Sequence, residues 1–328
     1  MNRKIWLTGA LCIAAIFITV FIYNNFIMEE SEDTEPAGTI VNEAGVETKN
    51  TAEAGSEAPG SKPTAYLSET EGIERTIEYE TDLFTVRFST AGGVITSLVL
   101  NDYEDRKSGN VEMIFSGGSG KYPFSFHPGD FTSPPLGGLY DSRITDNTVV
   151  FTGRFADESG NSFLLKKSYT FVPDEYMIRF DLEVELTEGK LPFGEDGYLY
   201  SLGMGPQLGP EIDGFNRGYV YRYFCLRDGN EKRNVAAPED KLSLALDTPF
   251  SWLGVEGRYF TSVTIPAFDD YHPAWDERET AGLFKQNTYY IRKPDNGSGA
   301  PVSDSFYMYF GPKDRKIMEA LPICPGSL

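Results

Sequence analysis

The hydrophobic rhythm of the chain changes twice. Residues 5–27 (IWLTGALCIAAIFITVFIYNNFI) carry no charge, and at a rise of about 1.5 Å per residue such a run spans a hydrocarbon core of roughly 30 Å. It predicts one transmembrane helix, anchored by Ile5, Trp6, Leu7, Leu11, Ile16, Phe17, Val20, Phe21 and Ile27. Arg3 and Lys4 precede the run, whereas Glu29, Glu30, Glu32, Asp33 and Glu35 follow it. Basic flanks favour the cytoplasmic side, so everything after Met28 is expected outside. A cleaved signal peptide would have a shorter apolar region and end in small residues, but this run leaves through Tyr23-Asn24-Asn25-Phe26. Cys12 follows Leu11, too large a residue to precede a lipidated cysteine, and reads as a small apolar helix position.

Between residues 29 and 72 the pattern disappears into Glu, Ala, Gly, Ser, Thr and Pro, with Tyr66 the sole aromatic. Such a stretch cannot bury enough apolar surface to offset its ordering entropy and is expected to be a disordered acidic linker. From Ile73 onward the period is two. Ile178, Phe180, Leu182, Val184 and Leu186 alternate with Arg179, Asp181, Glu183 and Glu185, the pattern of a strand with one wet face. Phe84, Val86 and Phe88 lead to Gly92-Gly93 and then to Val94, Thr96, Leu98 and Leu100, which predicts a hairpin. Further strands are expected at 148–151, 163–171, 219–224, 242–246, 259–265, 287–292 and 305–310.

Many short strands without intervening helices predict a mainly β fold, a large antiparallel sandwich. The organisation is therefore a signal anchor over 1–28, a linker over 29–72 and a β domain over 73–328. Tyr122 to Leu139, with Pro123, Pro128, Pro134 and Pro135, reads as an ordered surface loop. One short C-terminal helix is expected after Gly311, with Pro312 in its first turn and Ile317, Met318 and Leu321 as its apolar face.

Composition narrows the chemistry. The 328 residues carry 29 Lys+Arg against 49 Asp+Glu, a net charge of −20, and that sign repels phosphate backbones, so no nucleic-acid partner is expected. Three cysteines make neither a disulfide framework nor a metal-ligand spacing; Cys225 and Cys324 could pair outside the cytoplasm only if the fold brings them within reach. Gly117-Gly118-Ser119-Gly120-Lys121 lacks the first glycine and the final Ser or Thr of a phosphate loop, at Phe115 and Tyr122. The two histidines, in His127-Pro128-Gly129-Asp130 and His272-Pro273-Ala274-Trp275-Asp276, could run acid–base chemistry on a sugar, yet both segments read as loops and nothing in the sequence brings them together. Asp269-Asp270 and Asp276-Glu277 lack the alternating ligands of a calcium loop. Tyr219, Tyr221 and Tyr223, Tyr289-Tyr290, and Tyr307 and Tyr309 read either as half-buried cross-strand neighbours or as the lining of a groove for an extended peptide or sugar, and Trp252 and Trp275 follow the same logic.

Three segments behind the anchor carry a resemblance. Ser89-Thr90-Ala91-Gly92-Gly93 lies within TDLFTVRFSTAGGVITSLVLNDY, Arg258 to Pro266 within GVEGRYFTSVTIP, and Tyr309-Phe310-Gly311-Pro312-Lys313 within FYMYFGPKDRKIMEAL. In order and spacing they resemble the first half of the YidC family of bacterial membrane protein insertases. The matching positions, Gly92, Gly93, Tyr259, Phe260, Ile265, Pro266, Gly311, Pro312 and Lys313, are read as structural.

The resemblance implies an antiparallel β-supersandwich related to sugar mutarotases, placed in the periplasm of an inner-membrane protein that is single-pass as read here. It also implies nascent inner-membrane proteins and Sec translocon components as partners, and a lipid bilayer contact through the N-terminal helix. Fold kinship does not bring sugar chemistry with it. No catalytic, cofactor-binding or metal-ligating residue is carried over, and the domain is expected to be a non-catalytic binding or scaffold module. The family continues into a five-helix membrane core, whereas after Leu321 this sequence reads Pro322-Ile323-Cys324-Pro325-Gly326-Ser327-Leu328, with no second apolar run. A truncated or frame-shifted reading frame, or a split gene, is expected. A carbohydrate-active sandwich enzyme and an extracytoplasmic peptide- or glycan-binding protein are the alternatives.

Overall fold

The computed structural model describes residues 66–105, 109–114, 122–194, 196–205, 223–228, 231–235, 243–267, 270–279, 285–297, 301–314 and 316–317, all within a unit running from Ser61 to Leu328. The expected membrane helix, with Ile5, Trp6, Leu7, Leu11, Ile16, Phe17, Val20, Phe21 and Ile27, lies outside them. Among the described residues no helix is long and apolar enough to cross a membrane.

The described residues form nineteen strands. In chain order these are β1 (Tyr66–Ser68), β2 (Thr76–Glu80), β3 (Phe84–Ser89), β4 (Val94–Asp105), β5 (Gly109–Glu112), β6 (Pro123–Pro128), β7 (Asp141–Thr145), β8 (Thr148–Asp157), β9 (Ser162–Phe171) and β10 (Met177–Glu188). They continue with β11 (Tyr198–Met204), β12 (Tyr223–Asp228), β13 (Glu231–Val235), β14 (Ser243–Ala245), β15 (Trp252–Glu256), β16 (Phe260–Pro266), β17 (His272–Glu279), β18 (Lys285–Pro294) and β19 (Val302–Pro312). A ten-stranded sheet runs β1-β8-β9-β10-β19-β16-β15-β12-β13, with β7 also on β8; a five-stranded sheet runs β14-β17-β18-β11-β6; a four-stranded sheet runs β2-β3-β4-β5. Every pairing is antiparallel, which fits the expected mainly β sandwich.

Alternation explains the layering. In β10, Ile178, Phe180, Leu182 and Val184 are buried, while Glu183 on the other face pairs with Lys166 at 2.8 Å across the register to β9. Leu186, expected in the same apolar row, is 40% exposed because β10 runs past the core, and its register slips between Leu186 and Glu188. The inner face of the ten-stranded sheet meets both other sheets. Phe88 of β3 packs 5.5 Å from Phe151 and 5.0 Å from Tyr169, and Phe124 of β6 packs 5.0 Å from Tyr169 and 4.8 Å from Phe180. All three sheets feed one hydrophobic cluster.

One charged side chain lies inside that cluster. Lys167 of β9 is fully buried, and its Nζ donates 2.7 Å hydrogen bonds to the carbonyls of Gly92 and Phe124, one on each of the other two sheets' segments. Tyr169, two residues on, donates to Gly93 O at 2.7 Å. Burial pushes the Lys167 amine down to about 7. Gly92 and Gly93 adopt φ of +79° and +56°, the left-handed pair that a tight hairpin turn requires.

Three expectations change. The fold starts within the expected linker, because Tyr66–Ser68 pairs with β8 and Tyr66 packs on Phe163. The expected loop from Tyr122 to Leu139 contains strand β6, in which Phe124 and Phe126 alternate with Ser125 and His127; its prolines sit at the two ends, where they leave the ladder intact. Its outer edge is closed by Leu136, whose N–H donates to Phe126 O at 2.6 Å. Pro312 ends β19 rather than opening a helix, and the Asp314 carboxylate caps the turn that follows by accepting from the N–H groups of Lys316 and Ile317. The rest of that expected helix, with Met318 and Leu321, lies outside the described residues, as do Tyr219 and Tyr221.

Two variants test this packing. The unfolded chain holds a proton on Lys167 up to about pH 10 and the folded one only to about 7, so stability should rise with pH between those values, by up to about 1.4 kcal/mol per unit. Urea unfolding at pH 7, 8 and 9 should show that slope in the wild type and its loss in Lys167→Met. At Gly254 of β15 a Cβ would lie 2.3 Å from the Ser262 carbonyl oxygen on β16. Gly254→Ala should therefore destabilise by about 2–4 kcal/mol in the same assay, since backbone atoms cannot step aside.

Candidate functional site

The five-stranded sheet has two unlike faces. Phe124, Phe126, Leu202, Ile291, Tyr289 and Trp275 point inward and are buried, so the intervening residues form a polar outer face. Register aligns them in rows across the strands: His127, Ser201, Arg292 and His272; then Ser125, Gly203, Tyr290 and Ala274; then Thr288, Asp276 and Ser243. The loop after β6 and the β3–β4 turn rise over these rows and enclose a cleft of about 680 Å³, within the size range of small-molecule sites.

Ser125, His127, Phe131, Thr288, Tyr290 and Asp276 line the cleft together with Tyr122, Ser243 and Glu74. Gly203 makes the floor possible: a Cβ there would meet Ser125 Oγ at 2.4 Å and His127 Nε2 at 3.1 Å. Two carboxylates, Glu74 and Asp276, are among the described lining residues, and Glu74 accepts from Ser89 Oγ at 2.5 Å. The described lining offers acceptors, hydroxyls and aromatic surface.

Arg292 lies within the first row, between Ser201 and His272. It is 2% exposed, donates to Leu246 O at 2.7 Å and to Asp247 at 3.0 Å, lies 3.5 Å from Asp130, and stacks 4.3 Å from the Tyr198 ring. Asp247, exposed, is held below the usual carboxylate range by hydrogen bonds from Tyr198 and Arg292. Partial burial raises Asp130 despite the guanidinium beside it. Burial pushes the Tyr198 hydroxyl up to about 12, with its hydrogen bond to Asp247 adding to the shift. His272 is lowered, first by burial and then by Arg292. These groups bind the strand ends and the loop after β6 into one network.

The structure corrects the reading of the histidines. Both lie on strands, and both lie in the same row of the outer face, separated by three strand spacings or roughly 14 Å. That is too far for shared acid–base work on one bond. His127 Nδ1 lies 2.7 Å from Ser133 O, a pure acceptor, which assigns the proton to Nδ1 and leaves Nε2 to accept from Ser125 Oγ at 3.1 Å. The ring is a brace for the loop.

Other expected features separate. Tyr289 faces the core and reaches Thr264 Oγ1 at 3.2 Å, while Tyr290 lines the cleft. Tyr309 is buried and donates to Pro312 O at 2.6 Å; Trp252 and Trp275 are buried. Asp270 pairs with Lys293 at 2.7 Å, and among the described residues no group of His, Cys, Asp and Glu could hold a metal. Cys225 belongs to β12, and Cys324, Asp269 and residues 115–121 lie outside the described residues. Of the motif positions, Gly92 and Gly93 form the turn, Gly311 leaves room for the Tyr309 hydroxyl 2.8 Å from where a Cβ would stand, and Lys313 pairs with Glu256. Tyr259 is exposed at the β15–β16 turn, Phe260 is half-buried, and Ile265, Pro266 and Pro312 are buried in β16 and β19. The sequence did not single out Arg292, Ser125 and Thr288 on the outer face or Phe131 in the loop after β6; only the alternation Phe124-Ser125-Phe126-His127 could have signalled that face.

Residues 76–326 match the family of the YidC periplasmic domain. The chain is 29% identical over 264 residues to the membrane protein insertase YidC of Treponema denticola, covering 75% of this chain and 44% of that protein. It is 29% identical over 241 residues to that of Treponema pallidum, covering 61% and 38%, and 22% identical over 323 residues to that of Pelodictyon phaeoclathratiforme, covering 95% and 54%. The chain thus spans about half the length of the curated relatives it matches, or less. Among solved structures it is similar to a galactose mutarotase-like protein from Lactobacillus casei, with a TM-score of 0.46 and 11% identity over 72% of this chain and 100% of that one. It is also similar to a putative aldose 1-epimerase from Escherichia coli K12, with a TM-score of 0.43 and 10% identity over 73% and 99%. Strands β2 to β19 all fall within the matched residues 76–326, and the chain belongs to the YidC family through its periplasmic domain.

Proposed function

We propose that this chain provides the anchor and periplasmic domain of a YidC-type insertase, acting as a non-catalytic binding or scaffold module for nascent inner-membrane proteins beside the Sec translocon. The observation that carries the reading is the family match over residues 76–326, supported by the charge-free run over residues 5–27 with basic residues before it and acidic residues after it. On this reading the N-terminus is cytoplasmic, a single helix crosses the inner membrane, residues 29–65 act as a tether, and the β domain stands in the periplasm.

A scaffold role also agrees with the side chains. His127 Nδ1 holds the loop after β6 through Ser133 O while Nε2 accepts from Ser125 within β6, His272 is distant from it, and the family motif positions serve turns and packing. Insertion itself then belongs to the membrane-embedded core that the family resemblance implies.

Expression of this chain in cells depleted of their insertase should fail to restore growth, while crosslinking in insertase-replete cells should capture nascent membrane proteins on the β domain. Restored growth would overturn the scaffold reading. An alkaline phosphatase fused after Leu328 should be active, and an inactive fusion would reverse the proposed topology.

A further inference from the structure

We propose that Ser125, with His127 as its general base, is an acyl-accepting nucleophile in the outer-face cleft, and that the pair cleaves small carboxylic esters. This goes beyond the insertase reading and does not depend on it, since a scaffold role breaks no covalent bond.

Two residues apart on one strand, Ser125 and His127 share the face of β6 that lines the cleft. His127 Nδ1 gives its proton to Ser133 O at 2.7 Å, so Nε2 carries a lone pair, and Ser125 Oγ lies 3.1 Å from it. Gly203 O also lies near that hydroxyl but 3.5 Å away, at the limit of a hydrogen bond, so the proton points to the imidazole. A nucleophile held by a base whose far nitrogen is fixed by a third group is the arrangement that activates serine. His127 is buried and fixed, whereas Ser125 is half-buried and reachable from the cleft.

The backbone is bent to present this pair. Phe124 has a φ of +69°, a costly conformation for a bulky residue. It is also the extra residue of a bulge: Ser125 pairs with Gly203 and Pro123 with Met204, which leaves Phe124 without a register partner on β11. The core holds the strain in place, because the Phe124 carbonyl accepts from Lys167 Nζ at 2.7 Å and its ring packs on Tyr169 and Phe180. Gly203 completes the site. A Cβ there would stand 2.4 Å from Ser125 Oγ, 3.1 Å from His127 Nε2 and 3.2 Å from Tyr290 Cε1, so the missing side chain leaves open the point where nucleophile, base and aromatic wall converge.

In the first step Ser125 Oγ bonds to the acyl carbon while its proton passes to Nε2. The imidazolium returns that proton to the departing alcohol oxygen as the ester C–O bond breaks. Water then attacks the acyl-serine, its proton travels through Nε2 to Oγ, and the carboxylic acid leaves. The Phe131 and Tyr290 rings, 5.2 Å apart at 46°, together with Leu136 and Val94 offer apolar surface to the acyl group, and about 680 Å³ accommodates a short acyl chain with its leaving group. A carbonyl orients the imidazole here where a carboxylate would stabilise the imidazolium further, so turnover is expected to be slow.

The test is labelling of the full chain in lipid nanodiscs with a desthiobiotin fluorophosphonate, read by peptide mass spectrometry, beside hydrolysis of p-nitrophenyl butyrate. Ser125 should be labelled about a hundredfold faster than Thr132, Ser133 and Ser243, hydroxyl residues of the same cleft, a comparison that needs no variant. Ser125→Ala should abolish both signals. His127→Gln, whose amide can still donate to Ser133 O, should slow both about a hundredfold with the melting temperature of the β domain unchanged. Absence of label on Ser125 or of ester turnover, equal labelling of the neighbouring hydroxyls, full hydrolysis by Ser125→Ala, or undiminished labelling of a folded His127→Gln would overturn the proposal.

Discussion

Lys167 sits where the three sheets converge, and the arrangement of the domain depends on how its amine is satisfied. A fully buried lysine is unfavourable in an apolar core unless its N–H groups find partners. Here the partners are two main-chain carbonyls, Gly92 in the β3–β4 turn and Phe124 in β6. A carbonyl cannot be moved without moving its strand, so this contact places the turn and the edge strand together. Tyr169 repeats the device at Gly93 O. The same two segments form walls of the cleft, and the core contact thereby sets the shape of the outer surface.

The five-stranded sheet turns that placement into a site. Its inner residues belong to the common core, while its outer residues meet in rows contributed by β6, β11, β18, β17 and β14. Arg292, within one row, is tied to Leu246, Asp247 and Asp130 and stacked on Tyr198. A buried guanidinium holding several partners is costly to dismantle, which makes the network a rigid frame rather than a reactive one.

The segments that carry the family resemblance are explained by backbone geometry. Gly92 and Gly93 supply positive φ, Gly254 permits close approach of β15 to β16, and Gly311 leaves room for Tyr309. None of these positions lines the cleft except Gly92. Ser89, Ala91 and Val94 of the first segment line it as well, so that segment serves both the packing of the sandwich and the wall of the cleft.

The long, regular strands were legible in the chain itself. β10, β9 and the β3–β4 hairpin alternate apolar and polar side chains for enough residues that period two is unmistakable, and Gly92-Gly93 marks its own turn. β6, β11 and β17 were not legible, because their outer faces carry Ser, Gly, His and Asp and prolines interrupt β6 and β17, residue types that also make loops. Nor could the sequence pair His127 with Ser201, Arg292 and His272, which come from distant parts of the chain and meet only through strand register. Local patterning determines which face of a strand is buried, since it depends on a residue and its near neighbours. The cleft depends on which strands lie side by side and in what register, and only the burial of one shared core, braced by Lys167, decides that.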